Sequence, residues 1–471
     1  MYQLRPYQQL AVSTAMESLK GKKNGIIVMP TGSGKSLVIA SIAQQSGGKT
    51  IILQPTREIL SQNKAKMEAF GMDNIGVYSA SVGRKDVGDI TFATIGSVIK
   101  HRELFESFDR IIVDENHLVN SKGGMYEEFI NGLGLQTIGL TATPYRMRNY
   151  RDYRTGDVIA ESRILTRTRP RIFSKFLHIT QVKDLFEAGF LCPLDYSWQN
   201  DYDSRQVKST STGQGFDDNA LERYNQKKGI ADKIVAEVAD TGSRHCLAFT
   251  QFRSESAKVI EGLTELGISC AEVSGETKKK DRENIIRAFM SGQIKCVVNV
   301  GVFTVGFDFP ELDCIIIGRP TKSVGLYYQI VGRGVRTAPG KENCKLIDLC
   351  DNVKRFGRIE SFEIVDQNGN DMWRLRSDVG NITGVDVVTG RDLESVKAGA
   401  SKKDKQKAEN GSLKINFGKF EGKAIAEVNT EYLVWCVKNF KGGRWKCIFG
   451  RELKRRKSQK APEMAEIDTP W

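Results

Sequence analysis

No apolar run in this 471-residue chain approaches the length of a bilayer, so a helical membrane span is not expected. The opening residues Met1-Tyr2-Gln3-Leu4-Arg5-Pro6 lack a charged segment followed by an apolar one, which excludes the usual secretory leader and points to the cytoplasm. Among the nine cysteines no pair has C-x-x-C spacing, and most sit in strand-like apolar runs such as Lys295-Cys296-Val297-Val298. Buried free thiols in a reducing compartment fit that pattern better than disulfides or a zinc site. The tail shows no nuclease constellation, and residues 397–410 contain no large apolar side chain. That stretch reads as a flexible linker.

What is present is basic. A net charge of +13 and a pI near 9.2 favour a polyanionic partner, because Lys and Arg can replace the counterions condensed on nucleic acid. Hydrophobic residues at 40% and charged residues at 27% give a globular balance, and the length suggests two lobes with a smaller appendage.

Short β-rich runs at 25–29, 50–53, 75–78, 90–93, 111–113 and 137–140 alternate with helical stretches, as in a parallel sheet covered on both faces. A second series follows at 246–250, 270–273, 295–300, 314–317 and 344–349, with helix-like segments such as 281–290 between. Each set suits an open doubly wound sheet. The expected organisation is a first lobe over residues 1–147, a basic connector and entry to the second lobe over 148–225, and the second lobe over 226–352. An extension over 353–396, a linker over 397–411, a small module over 412–450 and a basic then acidic tail over 451–471 complete it. Arginines and tyrosines interleave over 145–171, a pattern that offers phosphates both charge and stacking, though a solvated linker would also look basic.

Pro30-Thr31-Gly32-Ser33-Gly34-Lys35-Ser36 lies between the first strand and a helix expected over 37–45, the setting of a phosphate-binding loop. Gly32 and Gly34 let backbone N–H groups converge on phosphate, Lys35 would reach the β and γ phosphates of ATP, and Ser36 would bind Mg²⁺. Met29 stands where the full pattern begins with glycine. Asp114-Glu115-Asn116-His117 ends another strand and places two carboxylates at the carboxyl edge of the same sheet. Asp114 would hold Mg²⁺ through water, and Glu115 would take a proton from the attacking water.

With Thr141-Ala142-Thr143-Pro144 and Gln329-Ile330-Val331-Gly332-Arg333-Gly334-Val335-Arg336 following in order, the chain resembles DEAD/DEAH-type superfamily 2 helicases, most of all the RadD-like group of bacterial and phage repair helicases. The resemblance runs over 4–349 and implies two tandem RecA-like doubly wound parallel-sheet lobes, α/β in class, with a small C-terminal module. It implies that Gln8 and Arg5 recognise adenine, that His117 couples the phosphate site to Thr141 and Thr143, and that Gly306 and Asp308 face the nucleotide. Thr56, Arg57, Thr94, Gly275 and Thr304 would touch one strand of nucleic acid. Gln329, Arg333 and Arg336 would complete the site across the cleft, the arginines stabilising charge on the transferring phosphoryl group.

Asn116 departs from the Ala or Cys common at its position, and the cysteine-rich region that RadD-like proteins often carry after the second lobe is absent. The resemblance therefore implies an ATP-dependent DNA helicase or translocase in repair, recombination or replication, in a bacterial cell or phage-infected host. A restriction or defence motor working with protein partners, an RNA helicase, and a non-processive clamp or remodeller remain open.

Overall fold

The computed structural model describes residues 3–21, 23–151, 158–301, 309–367, 369, 371–389 and 393, then 412, 414–415, 420, 422–439, 448–450, 452–453 and 455–456. Two parallel sheets organise it. Strands β1 (Gly25–Val28), β2 (Thr50–Gln54), β3 (Ile75–Ser79), β4 (Arg84–Lys85), β5 (Ile90–Thr94), β6 (Arg110–Asp114) and β7 (Gln136–Thr141) lead to a separate antiparallel ribbon, β8 (Tyr145–Arg151) with β9 (Val158–Ile164). With β10 (Lys175–Ile179) the first sheet runs β10-β1-β7-β6-β2-β5-β3-β4, parallel except for the short edge strand β4. Strands β1, β2 and β3 are buried along their whole length and the other inner strands through their middles, because helices cover both faces. On one face Ala11, Val12 and Ala15 of the helix Pro6–Leu19 and Val38, Ile39 and Ile42 of the helix Lys35–Gln45 pack against Ile27, Ile52 and Ile112.

The second sheet comprises β11 (Leu194–Trp198), β12 (Cys246–Thr250), β13 (Cys270–Ser274), β14 (Cys296–Val300), β15 (Cys314–Gly318) and β16 (Cys344–Asp348), in the order β11-β16-β15-β12-β14-β13, all parallel. Cysteine occupies the first position of β12 through β16, and Cys246 lies in register with both Cys296 and Cys314. One apolar cluster runs through both lobes, from Ile26 and Val28 by way of Tyr145 to Tyr328 and Ile315.

The stretch 148–225, expected as a basic connector and entry to the second lobe, adds β10 to the first sheet, β11 to the second, and most of the ribbon. The extension over 353–396 carries a small antiparallel sheet of β17 (Glu363–Asp366), β18 (Trp373–Ser377) and β19 (Gly380–Asn381). It docks on the first lobe through Gln181, whose amide donates to Ile364 O at 2.8 Å and accepts from Ile364 N at 3.0 Å.

Residues 1–391 form one compact unit and 392–471 another. The expected linker over 397–411 lies outside the described residues. In the second unit Ile415, Ile425, Val428, Leu433, Cys436, Ile448 and Phe449 make a small core. The module does not stop at residue 450. Glu452, 1% exposed, pairs with Arg455 and Arg456, and Arg456 donates to Ile425 O and Ala426 O. Among the described residues no helix is long and apolar enough to cross a membrane.

Candidate active site

In parallel sheets the helix N-termini and strand carboxyl ends share one edge, and the expected site residues of the first lobe gather there. The loop 30–34 leaves β1 with Gly32 at φ +81° and Gly34 at φ +80°, left-handed conformations that a side chain resists. Pro30 O accepts Ser33 N at 3.2 Å and Ser33 Oγ at 2.6 Å, which closes the turn. Met29 is buried and its N–H still donates to Thr141 O at 3.0 Å. The chain remains in the sheet at that point, so the first glycine of the general pattern is not required.

The loop is clamped from the N-terminal helix. Ser33 O accepts Gln8 Nε2 at 2.8 Å and the Tyr7 hydroxyl at 2.9 Å, while Gln8 Oε1 accepts Arg5 N at 2.8 Å. A Cβ on Gly34 would lie 2.5 Å from Gln8 Nε2, so loop and helix meet with no room for a side chain. Each end of the Gln8 amide is thus engaged by the chain itself. Beside it the Arg5 guanidinium lies 4.2 Å over the ring of Phe190, which also sits 5.6 Å from Tyr7. Phe190 comes from the stretch read as a connector, and no sequence motif marks it.

Lys35 Nζ lies 2.9 Å from Glu115 Oε1. Asp114, 4% exposed, accepts Asn63 Nδ2 on one oxygen at 3.2 Å and Glu115 N on the other at 2.9 Å. Burial first, then the neighbouring Glu115 charge, push the Asp114 carboxyl up to about 6. Burial would raise Glu115 too, but Lys35 and His117 overcome it and hold that carboxyl below the ordinary range. A buried carboxylate short of positive charge fits a divalent cation, and Ser36 opens the adjoining helix Lys35–Gln45.

His117 joins three segments. Its Nδ1 is 2.9 Å from Thr141 Oγ1, 3.1 Å from Thr143 Oγ1 and 3.2 Å from Glu115 Oε2, and its Nε2 is 3.4 Å from Gln329 Nε2. These partners assign the ring proton to Nδ1 and leave Nε2 to accept from the Gln329 amide. Gln329 belongs to the helix Val324–Val331 of the second lobe, so the two lobes meet at this histidine. Gly332 faces Thr31, and a Cβ on Gly32 would find Val335 Cγ2 at 3.9 Å and Arg336 Cγ at 4.0 Å. Arg336 therefore lies against the phosphate loop, and Arg333, 8% exposed, is held near it in the same turn.

Asn116, in the 3-10 turn Asn116–Leu118 after β6, is fully buried against β7, where a Cβ on Gly139 would lie 2.8 Å from its Cβ. The larger residue fits because the neighbouring strand carries glycine. We expect Gly139→Ala to destabilise the first lobe by about 1–3 kcal/mol, as overpacking does. Adding Asn116→Ala should restore most of the loss in urea unfolding, and a double variant no more stable than the single one would refute this account.

Thr94 ends β5, and Thr56 lies two residues past the end of the adjacent strand β2. Thr56 Oγ1 caps the helix Arg57–Ala69 by accepting Ile59 N at 3.3 Å, with Arg57 paired to Glu58. Thr94 shares hydroxyl hydrogen bonds with Ser79 and Ser97, each at 3.0 Å. Gly275 is exposed at the end of β13, in the other sheet, with open space at its Cβ. Thr304, Gly306 and Asp308 lie outside the described residues.

Two family descriptions match the chain: "Type III restriction enzyme, res subunit" over residues 1–146 and "Helicase conserved C-terminal domain" over 229–338. The IRC3 protein of Saccharomyces cerevisiae, an ATP-dependent helicase by name, is 26% identical over 374 residues, which cover 74% of this chain and 51% of the yeast protein. The DNA 3'-5' helicase XPB of Mycobacterium tuberculosis is 26% identical over 66% of this chain and 53% of its own length. The chain thus spans about half the length of these two relatives. Among solved structures, a fragment of an HsdR subunit of a type I restriction enzyme from Vibrio vulnificus superposes with a TM-score of 0.56 at 22% identity, over 76% of this chain and 66% of that one.

Proposed function

Because the chain carries both lobes of a superfamily 2 helicase, we propose that it is an ATP-driven DNA motor, hydrolysing ATP between the lobes and using the cycle to move along or unwind DNA. The observation that carries this reading is the junction at His117, where Gln329 of the second lobe meets the histidine that borders Glu115 of the first while Arg336 lies beside Gly32. A site divided this way can sense whether the lobes are closed.

In this reading the backbone of Thr31, Gly32, Ser33 and Gly34 cradles the phosphates, and Lys35 exchanges Glu115 for the β and γ oxygens of ATP. Freed of Lys35, Glu115 orients the attacking water and accepts its proton. Arg333 and Arg336 stabilise the charge that spreads over the transferring group. Ser36 and Asp114 would hold Mg²⁺, which neutralises phosphate charge when bound. Arg5 and Phe190, stacked on one another, offer a flat surface beside the loop for the adenine ring, with Gln8 fixing the loop beneath it. Thr56, Arg57, Thr94, Gly275 and Thr304 hold the track through sequence-blind contacts, so the grip can be released and remade. Tight and loose grips in the closed and open states convert hydrolysis into movement.

A second reading, the motor of a restriction complex, is favoured by the family match over 1–146. There a partner would supply cleavage. Both readings meet one test: steady-state ATPase of the wild type and Lys35→Ala, alone and with single-stranded, duplex or forked DNA, or RNA. We expect strong stimulation by one form of DNA, abolished in the variant. Activity indifferent to every nucleic acid would overturn the motor.

A further inference from the structure

The ribbon that follows Thr143 is not accounted for by the ATP site. In its register Arg146 faces Arg163 and Arg148 faces Glu161 directly across the strands, and paired positions share a face. Arg167 follows at the end of β9, in the 3-10 turn Leu165–Arg167. Arg148 and Arg167 both lie close enough to oppose the charge of Arg163, whose guanidinium is held below its ordinary range by burial first and then by these two neighbours, against the pull of Glu161. Arg148, Arg163 and Arg167 thus gather beside one buried carboxylate, Glu161, which is 3.6 Å from Arg163 Nη1. Asp386 bridges to Glu161 through the backbone and spends its oxygens on Val388 N and Thr389 Oγ1. Arg148 Nε is buried without a hydrogen-bond partner. Like charges set directly opposite each other disfavour the folded ribbon, and a polyanion seated on them would offset that cost. Tyr150, two residues beyond Arg148, is on the same face.

The root of the ribbon is fixed to the ATP site at two points. Tyr145 N donates to Thr143 O at 2.7 Å, and the Tyr145 ring lies 3.7 Å from where a Cβ on Gly325 would be, at the start of the second-lobe helix that carries Gln329. Arg146 Nη1 donates to Leu118 O at 3.2 Å, one residue past His117. A displacement of the ribbon reaches His117 through both.

We propose that the arginine face of the ribbon binds the phosphodiester backbone of DNA and that its root relays this occupancy to the ATP site, making the ribbon the element that sets DNA stimulation of hydrolysis. Planar guanidinium groups suit bidentate phosphate contact, and Tyr150 offers a surface for an unstacked base. The proposal rests on the motor reading above, so its test separates the two.

The test uses the full chain with Arg148→Gln and Arg167→Gln combined, which leaves the Arg163–Glu161 pair in place, and with Arg163→Gln as a second variant. Binding of labelled single-stranded and duplex DNA is followed by anisotropy without ATP over a range of salt. The double variant should bind at least tenfold more weakly, with the slope of log K against log salt smaller by about 0.7–0.9 for each lost phosphate contact. Basal ATPase without DNA should be unchanged, and half-maximal stimulation should need at least tenfold more DNA. Wild-type affinity and slope in both variants would overturn the ribbon while leaving the motor intact. Wild-type ATPase that ignores DNA would overturn the relay together with the motor. Weakened binding with wild-type stimulation at saturating DNA supports the phosphate site, whereas weakened binding with stimulation lost even at saturation supports the relay as well.

Discussion

Glu115→Gln should reduce ATP turnover by about 10²–10⁴-fold while leaving nucleotide affinity within a few-fold of wild type. The substitution keeps the size of the side chain, and an amide can still accept from Thr141 Oγ1, which lies 3.2 Å from Glu115 Oε2. What it removes is the ability to accept a proton from water. The two carboxylates are not equivalent in this respect. Glu115 is held ionised by Lys35 and His117, whereas the buried Asp114 is pushed upward and is suited to share a cation. Single-turnover hydrolysis beside titration with a fluorescent nucleotide measures the two quantities separately. Turnover within tenfold of wild type would assign the base elsewhere, and a matched fall in affinity would mean that Glu115 mainly positions Lys35.

Arg336→Ala should cost about a thousandfold or more in kcat, the range seen when an arginine finger is lost. The side chain lies on the second lobe yet packs against Gly32, so its charge arrives at the phosphates only when the lobes are together. Removing it should leave the Lys35–Glu115 and His117–Gln329 contacts in place, because neither depends on it. The informative comparison is kcat against KM. A fall in kcat with KM little changed identifies a contact made in the transition state, while a rise in KM alone would make Arg336 a ground-state phosphate ligand and shift the finger role to Arg333.

Both predictions rest on residues that the sequence discloses, because phosphate chemistry fixes spacing. Gly32, Gly34 and Lys35 must follow a strand and open a helix, and Asp114 and Glu115 must end another, so local pattern suffices to find them. His117 and Gln329 each entered through resemblance, but their meeting, across 212 residues of chain, is visible only in the fold. What escaped reading has a common physical cause. β10 and β11 are edge strands with mixed, partly exposed residues, Lys-Phe-Leu-His-Ile and Leu-Asp-Tyr-Ser-Trp, and an edge strand need not be an apolar run. The ribbon hides its alternation because arginines occupy the face that would otherwise be apolar. Phe190 meets Arg5 and Tyr7, 185 and 183 residues earlier in the chain, and the turn of Gln8 toward Ser33 O is likewise invisible without the tertiary fold. Met29 shows the reverse case, a departure from pattern that the fold absorbs without cost.

The row of cysteines along the leading edge of the second sheet bears on how the motor can be watched. Cys246, Cys296, Cys314 and Cys344 are buried, and burial pushes the thiols of Cys296 and Cys344 up, away from the thiolate form that alkylating reagents attack. Among the described cysteines Cys270 is the most open, at intermediate exposure. With Cys447, which lies outside the described residues, also replaced by serine, a maleimide dye would meet little competition from the other described cysteines while the chain stays folded. Cysteines introduced at exposed positions on each lobe, in a Cys270→Ser and Cys447→Ser background, would therefore accept a donor and acceptor pair, and the opening and closing of the cleft could be followed by energy transfer in single molecules.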